Sequence, residues 1–431
     1  MIPAADAPTR WFTAWVAVWT AIGAAIRGGY VLLVARHHPL AGDALYYHLL
    51  AKMLRRGLGW NDPFQYAYLQ GLHPTAAHPP LFPAVLAASS YLGFDSQTGH
   101  RLFSCLIGTA AIPLIALVAR RYGGTRAGVI AAALAAIYPH LWINDVGALS
   151  ESLLAVMIAL VLLVAESTTR SLTLRNAALL GGIIGLAALT RSEEVLLLPL
   201  LAWPLLARGP GSARERLARV GGATLVFAAV LAPWIGWNLS RFEHPVLIST
   251  NLGETLHNTS CDPVWYGPRI GWWIFVPPCP NDVTTPVRDE SERDQRLRSG
   301  AWKYISTHES RYPIVAAARI GRIWGMFNPR QTRYLEQLEG SGQGATWIAF
   351  VLYYPLLLLG VAGLVTLHRR RTSLLPFIAL IAVATITAAV FYGSSRFRVP
   401  ADVGIVVLAG VALDALLGRG RTYAAERAAS S

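Results

Sequence analysis

The chain has 431 residues, of which 54% are hydrophobic and only 14% charged, with a mean hydropathy of +0.42. Soluble domains carry about a quarter charged residues, so this composition argues against a soluble protein and indicates a membrane protein. The formal net charge of +13 does not predict a nucleic-acid partner. The arginines stand in short runs between apolar segments and form no continuous basic face.

Apolar stretches long enough to cross a bilayer recur along the chain. The first, from Trp11 to Ala35, is too long for a cleaved signal peptide and is expected to be the first span. The pattern predicts an all-α polytopic membrane protein with about ten transmembrane helices. They are expected at 11–35, 101–119, 126–142, 150–167, 176–190, 194–207, 219–238, 347–367, 373–392 and 401–417.

The positive charges predict the orientation of these spans. Alternate connections and the tail carry clusters of arginine, namely Arg120, Arg121, Arg126, Arg170, Arg175, Arg208, Arg214, Arg216, Arg219, Arg369, Arg370, Arg371, Arg419, Arg421 and Arg427. All of them fall on one side if both termini are cytoplasmic. We therefore expect a multi-pass protein of the cell membrane, with its functional surface on the outer face.

Two long loops fall on that outer face. The chain is expected to form a single transmembrane domain, 1–431, with a first outer loop at 36–100 and a second at 239–346. In the first loop, Asp43 to Arg56 reads as an amphipathic helix ended by Gly57. An apolar run after Pro80 is too short to span and should lie at the interface or pack on the bundle.

Two of the three cysteines, Cys261 and Cys279, lie in the second outer loop. In an oxidising compartment they would form a disulfide, and the alternative is a pair of free thiols.

Charged residues cluster near the outer ends of the predicted spans, where they need water, a partner or a substrate. They are Arg27, Asp43, Asp145, Glu151, Arg191, Glu193, Glu194, Arg396 and Arg398. Carboxylates and arginines together on one side predict a site that combines acid–base groups with anion binders.

Asp43 is the candidate catalytic base of this site. A carboxylate at the start of a helix above the membrane can accept a proton from a bound hydroxyl. The competing interpretation is that Asp43 is the N-cap of that helix, and both roles can coexist. Glu151 is a second candidate, although its place at the start of a span is also explained by the helix dipole.

The candidate substrate-binding residues are mostly cationic. Lys52, Arg55 and Arg56 break the positive-inside pattern, which binding of a lipid phosphate would explain; a solvated helix face is the alternative. Arginine has forked donors suited to phosphate oxygens, and the candidates at span ends are Arg191, Arg396 and Arg398. His78 could donate to a phosphate or substrate oxygen, or serve a structural role.

Motifs for nucleotides and metals are missing from the sequence. There is no phosphate-binding P-loop, no dinucleotide glycine fingerprint and no His/Cys metal cluster. We therefore expect no cofactor and no metal.

A series of segments resembles a known family. In chain order they are Gly42–Ala51, Arg56–Gly59, Ala77–Pro83, Arg101–Leu102, Ser150–Leu153, Gly185–Arg191 and Tyr392–Pro400. This series is similar to the GT-C membrane glycosyltransferases, in particular the bacterial protein-mannosyltransferase and aminoarabinose-transferase-like group. The resemblance extends from about residue 27 to 415.

The resemblance implies a sugar donor that is carried on a polyprenyl phosphate, and a protein surrounded by membrane lipid. It also implies inverting transfer to a hydroxyl of a protein, lipid or polysaccharide acceptor, with Asp43 aligned to the family's catalytic aspartate. Many relatives carry a second acidic residue beside this aspartate, where this chain has Ala44, which puts a metal requirement in doubt. A transporter or lipid-sugar flippase and a catalytically inactive lipid-sugar-binding relative are the alternative functions.

Overall fold

The computed structural model describes residues 10–69, 71–274, 279, 289–338 and 343–429, and its regular structure is helical. Within these residues the β-structure is limited to one isolated bridge between Asn61 and Pro74. The predicted all-α fold is therefore confirmed. The helices of the first half are α1 (Arg10–Leu33), α2 (Gly42–Arg55), α3 (Pro63–Leu69), α4 (Leu81–Tyr91), α5 (Gln97–Gly123), α6 (Thr125–Ile137), α7 (Pro139–Val146), α8 (Glu151–Arg170) and α9 (Leu174–Ala188).

The second half continues with a large group of short helices between two long ones. The α-helices are α10 (Trp203–Ala207), α11 (Ala213–Arg241), α12 (Asn251–Asn258), α13 (Asp262–Trp265), α14 (Glu290–Thr307), α15 (Tyr312–Ile323), α16 (Pro329–Leu338), α17 (Gln343–Arg369), α18 (Leu375–Val390) and α19 (Val399–Ala429). A short 3₁₀-helix, Ser395–Arg398, immediately precedes α19.

Six helical segments of the described chain are long and apolar enough to cross a membrane. They are Arg10–His37, Gln97–Gly123, Glu151–Arg170, Ala213–Arg241, Ala345–Arg369 and Ser395–Gly418. The pair α6 and α7, bent by 47°, makes a seventh if the two form one span. The apolar helices α9 and α18 are shorter, so the expected number of ten spans remains a prediction.

The predicted span at 194–207 has an irregular structure. It consists of 3₁₀-helix at Ser192–Leu196, π-helix at Leu198–Ala202 and then α10. Pro199 and Pro204 lie five residues apart in this stretch. Because proline has no backbone N–H to donate, the two residues prevent one continuous α-helical hydrogen-bond ladder.

The basic connections converge at one end of the bundle. Arg121 and Arg170 both pair with Glu166, and Arg126 pairs with Asp414 in the middle of α19. Arg219 donates to the carbonyls of Leu172 and Pro210, which joins two further basic connections at this end. Helix α8 runs from Glu151 to Arg170, about 30 Å, so Glu151 and its neighbours lie at the opposite end.

Helices of the first outer loop pack against each other at that opposite end. Tyr47 and Leu50 of α2 form a buried cluster with Phe82 and Leu86 of α4. The apolar run after Pro80 thus packs on the protein, one of the two placements expected. Helix α2 ends as predicted at Gly57, whose φ of +72° suits glycine.

The second outer loop has its own small core. Cys261 and Cys279 form a disulfide, with their Cα atoms 5.5 Å apart. The disulfide packs against Trp265, which is fully buried, and against Val315 of α15. The exact limits of the two outer loops remain predictions.

A buried ion pair joins the first span to α7. Arg27 Nε donates to Asp145 Oδ2 at 2.8 Å, and the two residues are 1% and 0% exposed. Asp145 lies directly against Gly108 of α5, where only hydrogen leaves room for its carboxylate. The pair therefore fixes α1, α5 and α7 relative to one another.

We expect Gly108→Ala to break this arrangement, because the new Cβ would overlap the Asp145 carboxylate. Separating a buried ion pair costs about 3–5 kcal/mol. The loss is measured as a lower apparent unfolding temperature of the detergent-solubilised protein. Gly221→Ala on α11 is the control, because a Cβ there meets no atom within 4 Å. Equal unfolding temperatures for the two variants would contradict the prediction.

Candidate functional site

Asp43 lies in the first turn of α2, at the end of the bundle that also holds Glu151. The residue at the N-cap position is Ala41, and Asp43 is the second residue of the helix. The N-cap interpretation of Asp43 is therefore wrong, because Ala41 has the cap position and the Asp43 carboxylate pairs with Arg396. Arg396 Nη2 donates to Asp43 Oδ2 at 2.9 Å.

Glu151, the first residue of α8, binds the same arginine, Arg396. Its Oε1 accepts from Arg396 Nε and from Arg191 Nη1, both at 2.8 Å. Glu151 is 1% exposed, so its charge is balanced by these two guanidinium groups and not by water. Glu151 is therefore both the first residue of α8, where the helix dipole favours a carboxylate, and a member of the candidate site.

Arg191 extends the network on the other side of Glu151. It follows α9 and precedes a 3₁₀-helix, and its Nε donates to Glu193 Oε1 at 2.6 Å. Its guanidinium also lies over the ring of Phe397, 5.2 Å from the centroid. Asp43, Arg396, Glu151, Arg191 and Glu193 therefore form one chain of alternating charge.

His78 completes the surroundings of Asp43. Its Nε2 lies 3.8 Å from Asp43 Oδ1, too far for a hydrogen bond, and its Nδ1 lies 3.3 Å from the Tyr47 hydroxyl. The imidazole packs edge-on against the rings of Tyr46 and Tyr47. These contacts hold His78 beside the carboxylate.

The pKa values follow from these contacts. Burial alone would raise the pKa of Asp43, but the Arg396 guanidinium outweighs it and holds that pKa well below its ordinary value. Burial lowers the pKa of His78, against the opposing effect of Asp43. At neutral pH the site therefore holds an ionised Asp43 beside a neutral His78. The Asp43 side chain is 35% exposed, so a ligand can reach it.

A cavity of about 60 Å³ adjoins this cluster and shares Arg396 with it. Its lining includes four arginines and one carboxylate, together with apolar and aromatic side chains. The residues are His140, Ile143, Asn144, Arg322, Gly325, Pro329, Thr332, Arg333, Glu336, Thr346, Ala349, Phe350, Tyr353, Ser395, Arg396 and Arg398. An excess of guanidinium groups beside apolar surface suits an anion attached to a hydrophobic chain.

Arg398 is held rigidly in the cavity wall. Its Nε donates to Asp402 Oδ1 at 3.0 Å and its Nη1 to the carbonyl of Ile323 at 2.6 Å. Oδ2 of Asp402 also lies 2.6 Å from Nδ1 of His140. Nε2 of the same histidine is hydrogen-bonded to Ser395 Oγ at 2.8 Å. The 3₁₀ turn that carries Arg396 is thus anchored at both ends.

Arg333 is bound less completely than the other arginines of the wall. Its guanidinium lies 4.3 Å from the ring centroid of Trp347, and its Nε is buried without a hydrogen-bond partner among the described residues. A buried donor without a partner is costly, and an anion in the cavity would satisfy it.

The structure brings together most of the predicted site residues. Asp43, His78, Glu151, Arg191 and Arg396 are in one cluster, and Arg398 lies in the adjoining wall. Lys52, Arg55 and Arg56 lie at the far end of α2, with Lys52 about 13 Å along the helix from Asp43. There Arg55 pairs with the exposed Asp95. A lipid phosphate at these three residues remains a prediction, separate from the Asp43 cluster.

Sequence reasoning missed Arg322, Arg333, His140 and Ser395 as residues near the site. Arg322 and Arg333 belong to the second outer loop, which carries many charged residues that look equally exposed in sequence. His140 is a lone histidine in an apolar segment, with no pattern to distinguish it. Among the described residues no group of three His, Cys, Asp or Glu side chains could hold a metal ion. The expectation of a metal-independent site remains a prediction.

Comparison with solved structures identifies the fold. One similar structure is the archaeal oligosaccharyltransferase AglB from Archaeoglobus fulgidus, in complex with an inhibitory peptide and a dolichol-phosphate. It superposes on this chain with a TM-score of 0.56 at 15% sequence identity. The match covers 97% of this chain and 52% of AglB. The apo form of the A. fulgidus oligosaccharyltransferase gives 0.55 at 17% identity, covering 98% and 52%. The chain thus spans about half the length of these enzymes. Its fold is that of the GT-C membrane glycosyltransferases.

Family comparison points to the same group. Residues 77–237 match the family model described as dolichyl-phosphate-mannose-protein mannosyltransferase. The resemblance predicted from the sequence is therefore confirmed. ArnT from Cupriavidus metallidurans bound to undecaprenyl phosphate is also similar, with a TM-score of 0.46 at 16% identity over 94% of this chain and 78% of that one. No functionally curated protein matches the sequence.

We expect Glu151→Gln to destabilise the outer end of the bundle. The substitution removes the negative charge between Arg191 and Arg396 and leaves two largely buried guanidinium groups facing each other. The cost is about 3 kcal/mol, seen as earlier loss of the monodisperse peak when the solubilised protein is heated before size-exclusion chromatography. The control is Glu309→Gln, an exposed residue of the second outer loop. Identical heat resistance in both variants would count against the charge network.

Proposed function

We propose that the protein is an inverting glycosyltransferase that moves a sugar from a polyprenyl-phosphate carrier to an acceptor hydroxyl at the outer face of the cell membrane. The observation that carries the proposal is the ionised Asp43, exposed at its tip and bonded by Arg396, beside a cavity lined by three further arginines. A carboxylate next to a cluster of guanidinium groups supports a base beside a phosphate site.

Asp43 would act as the general base. Inverting transfer needs a carboxylate that takes the proton from the acceptor oxygen while that oxygen attacks the sugar carbon from the side opposite the phosphate. Asp43 is ionised and partly exposed, and no backbone N–H of α2 competes for it. His78 and Tyr47 would border the acceptor's approach.

Arg396 would link donor binding to the strength of this base. With Arg396 bonded to Asp43, the pKa of the carboxyl is low and the carboxylate is a weak base. A donor phosphate in the adjoining cavity would compete for the same guanidinium. Partial transfer of Arg396 to the phosphate would raise the proton affinity of Asp43 when the donor is in place.

The cavity arginines would hold the phosphate and stabilise it as the leaving group. Arg333 and Arg398 provide donors in a half-apolar wall, while Phe350 and Tyr353 offer contacts for the first isoprene units. Charge stabilisation of a departing phosphate is most effective where water is scarce. The dolichol-phosphate present in the related AglB complex supports a lipid phosphate as the ligand.

The distribution of charge supports the outer face as the side of reaction. The basic connections lie at the end of the bundle opposite Asp43 and Glu151, as the positive-inside rule requires if both termini are cytoplasmic. The acceptor would be a hydroxyl of a protein, lipid or polysaccharide reached from the exposed side of Asp43.

We expect Asp43→Asn to abolish transfer, because the amide keeps the shape of the side chain but cannot take a proton. The loss should be about 10²–10⁴-fold. The measurement is label transfer from radiolabelled polyprenyl-phosphate sugars to a membrane extract by the reconstituted protein. Asp95→Asn, an exposed aspartate of the same loop, is the matched control and should keep wild-type activity.

Three outcomes would count against the proposal. Full activity of Asp43→Asn would remove Asp43 from the mechanism. Binding of the lipid sugar by the wild type without transfer to any acceptor would favour an inactive relative. Uptake of the lipid sugar across the vesicle membrane would favour a flippase.

We expect Arg333→Ala to weaken binding of undecaprenyl phosphate about tenfold or more, because a charged hydrogen bond to the phosphate contributes about 1.5–3 kcal/mol. Affinity is read by native mass spectrometry of the solubilised protein over a lipid titration. Arg330→Ala, an exposed arginine on the same helix, is the control and should bind as the wild type does. Equal weakening by both variants would indicate a general charge effect and not a site.

A further inference from the structure

A buried carboxylate joins the two outer loops. Glu290 is the first residue of α14 in the second outer loop, and its side chain reaches into the first. Its Oε1 accepts a hydrogen bond from the backbone N–H of Ala76 at 3.3 Å and another from the hydroxyl of Thr250. The other oxygen, Oε2, is buried without a partner among the described residues.

The second outer loop holds the peptide groups around Ala76 from several directions. Thr250 N–H donates to the Ala76 carbonyl at 2.9 Å, so both polar groups of Ala76 are bound by that loop. Arg241, at the end of α11, donates to the carbonyl of Thr75 at 2.7 Å. Residues 71–80 contain no helix, so these contacts decide where the segment lies.

The segment held in this way leads directly to the candidate site. His78 follows Ala76 by two residues and lies 3.8 Å from Asp43. Thr75 is bonded through its hydroxyl to Tyr46 of α2, 2.9 Å away, close to Asp43 in the same helix. A displacement at Ala76 would therefore move His78 relative to the carboxylate.

We propose that Glu290 is a positioning residue: it docks the second outer loop on the backbone of residues 75–78, sets His78 against Asp43, and makes this docking depend on its own protonation. The part that concerns His78 and catalysis rests on the proposed glycosyltransferase function. The docking itself does not.

The surroundings of Glu290 favour its neutral form. Burial raises the pKa of Glu290 to about 7, and the hydrogen bond from Thr250 only partly opposes this. Asp62 lies close enough to raise it further. An undocked loop exposes the same carboxyl to water, where its pKa is about 4.3.

The sign of the pH effect follows from this difference. Because the pKa is raised on docking, the docked state gains stability that is fully present below about pH 4.3 and is lost as the pH rises toward about 7. Above that pH, docking requires burial of a charged carboxylate with one unpartnered oxygen. Docking is therefore stronger under mildly acidic conditions.

The charged groups nearest Glu290, Asp62 and Arg241, act on it through space but form their hydrogen bonds with other groups. Asp62 accepts from the N–H groups of Phe64 and Gln65 at the start of α3, and Arg241 is directed to backbone carbonyls and to the ring of Trp237. Further ionisable groups on the elements packed here include Tyr46, His73, Glu243, His244, Glu254, His257, Asp289, Glu292, Arg293, Asp294, Arg296 and Arg298. Arg293 is paired with Glu254, and Asp294 accepts from Gly253 N–H.

The test is hydrogen–deuterium exchange of amides 75–77 in the full-length solubilised protein, corrected for the intrinsic pH dependence of exchange. In the wild type we expect protection to fall about tenfold between roughly pH 5 and pH 8. Glu290→Gln, which keeps the shape but cannot ionise, should stay protected at both values. Glu292→Gln is the control, an acidic residue of the same helix that pairs with Arg296 at the surface, and should behave as the wild type.

Two results would overturn the docking role: wild-type protection that does not change with pH, or a Glu290→Gln variant that keeps the wild-type dependence. A Glu290→Ala variant should be poorly protected at both pH values. If that variant does not fold, the Gln variant alone decides the outcome.

The catalytic part has its own measurement, with the same radiolabelled polyprenyl-phosphate sugars as donors. We expect Glu290→Ala to lower kcat about tenfold with donor KM nearly unchanged, and Glu290→Gln to restore kcat and remove its decline as the pH rises toward about 7. Equal loss in the Ala and Gln variants would contradict positioning. If the wild type transfers no sugar, the proposed function fails, whereas the exchange experiment still decides the docking.

Discussion

The end of the bundle that holds the candidate site depends on one guanidinium group, that of Arg396. It bonds the Asp43 carboxylate of the first outer loop and the Glu151 carboxylate of the membrane bundle, so it joins a surface helix to a transmembrane one. It also lies in the wall of the adjoining cavity. The forked geometry of arginine makes such double binding possible, which a lysine at this position would not reproduce.

The surrounding structure keeps that guanidinium in place. Ser395 is anchored by His140, and Arg398 by Asp402, so the turn between them has little freedom. The two carboxylates are in the first turns of α2 and α8, and both bind the same arginine. The helix bundle and the two docked loops thus hold the charged groups of the site in position before any ligand binds, as preorganised sites require.

The sequence predicts those features that depend on residues close together in the chain. Apolar length predicts the spans, and α2 begins and ends close to where its amphipathic pattern and Gly57 predict. It was less informative where distant segments meet. Asp43 and Arg396 are 353 residues apart, and their meeting was suggested only by their shared side of the membrane and by family resemblance. Glu290, Arg333 and His140 have no local signature, because their roles arise from burial that only tertiary packing creates. The irregular 192–207 stretch shows that apolar length alone does not distinguish a straight helix from one interrupted by prolines.

The buried pair of Arg27 and Asp145 has a consequence for how the protein is made. The two residues are 118 positions apart, so the first span leaves the ribosome long before its counter-ion exists. During that interval Arg27 is an uncompensated charge in an otherwise apolar helix, at a cost of about 2.5–3.5 kcal/mol if it lies deep in the bilayer. The contact that fixes the first helix against α7 can therefore form only after α7 has been synthesised.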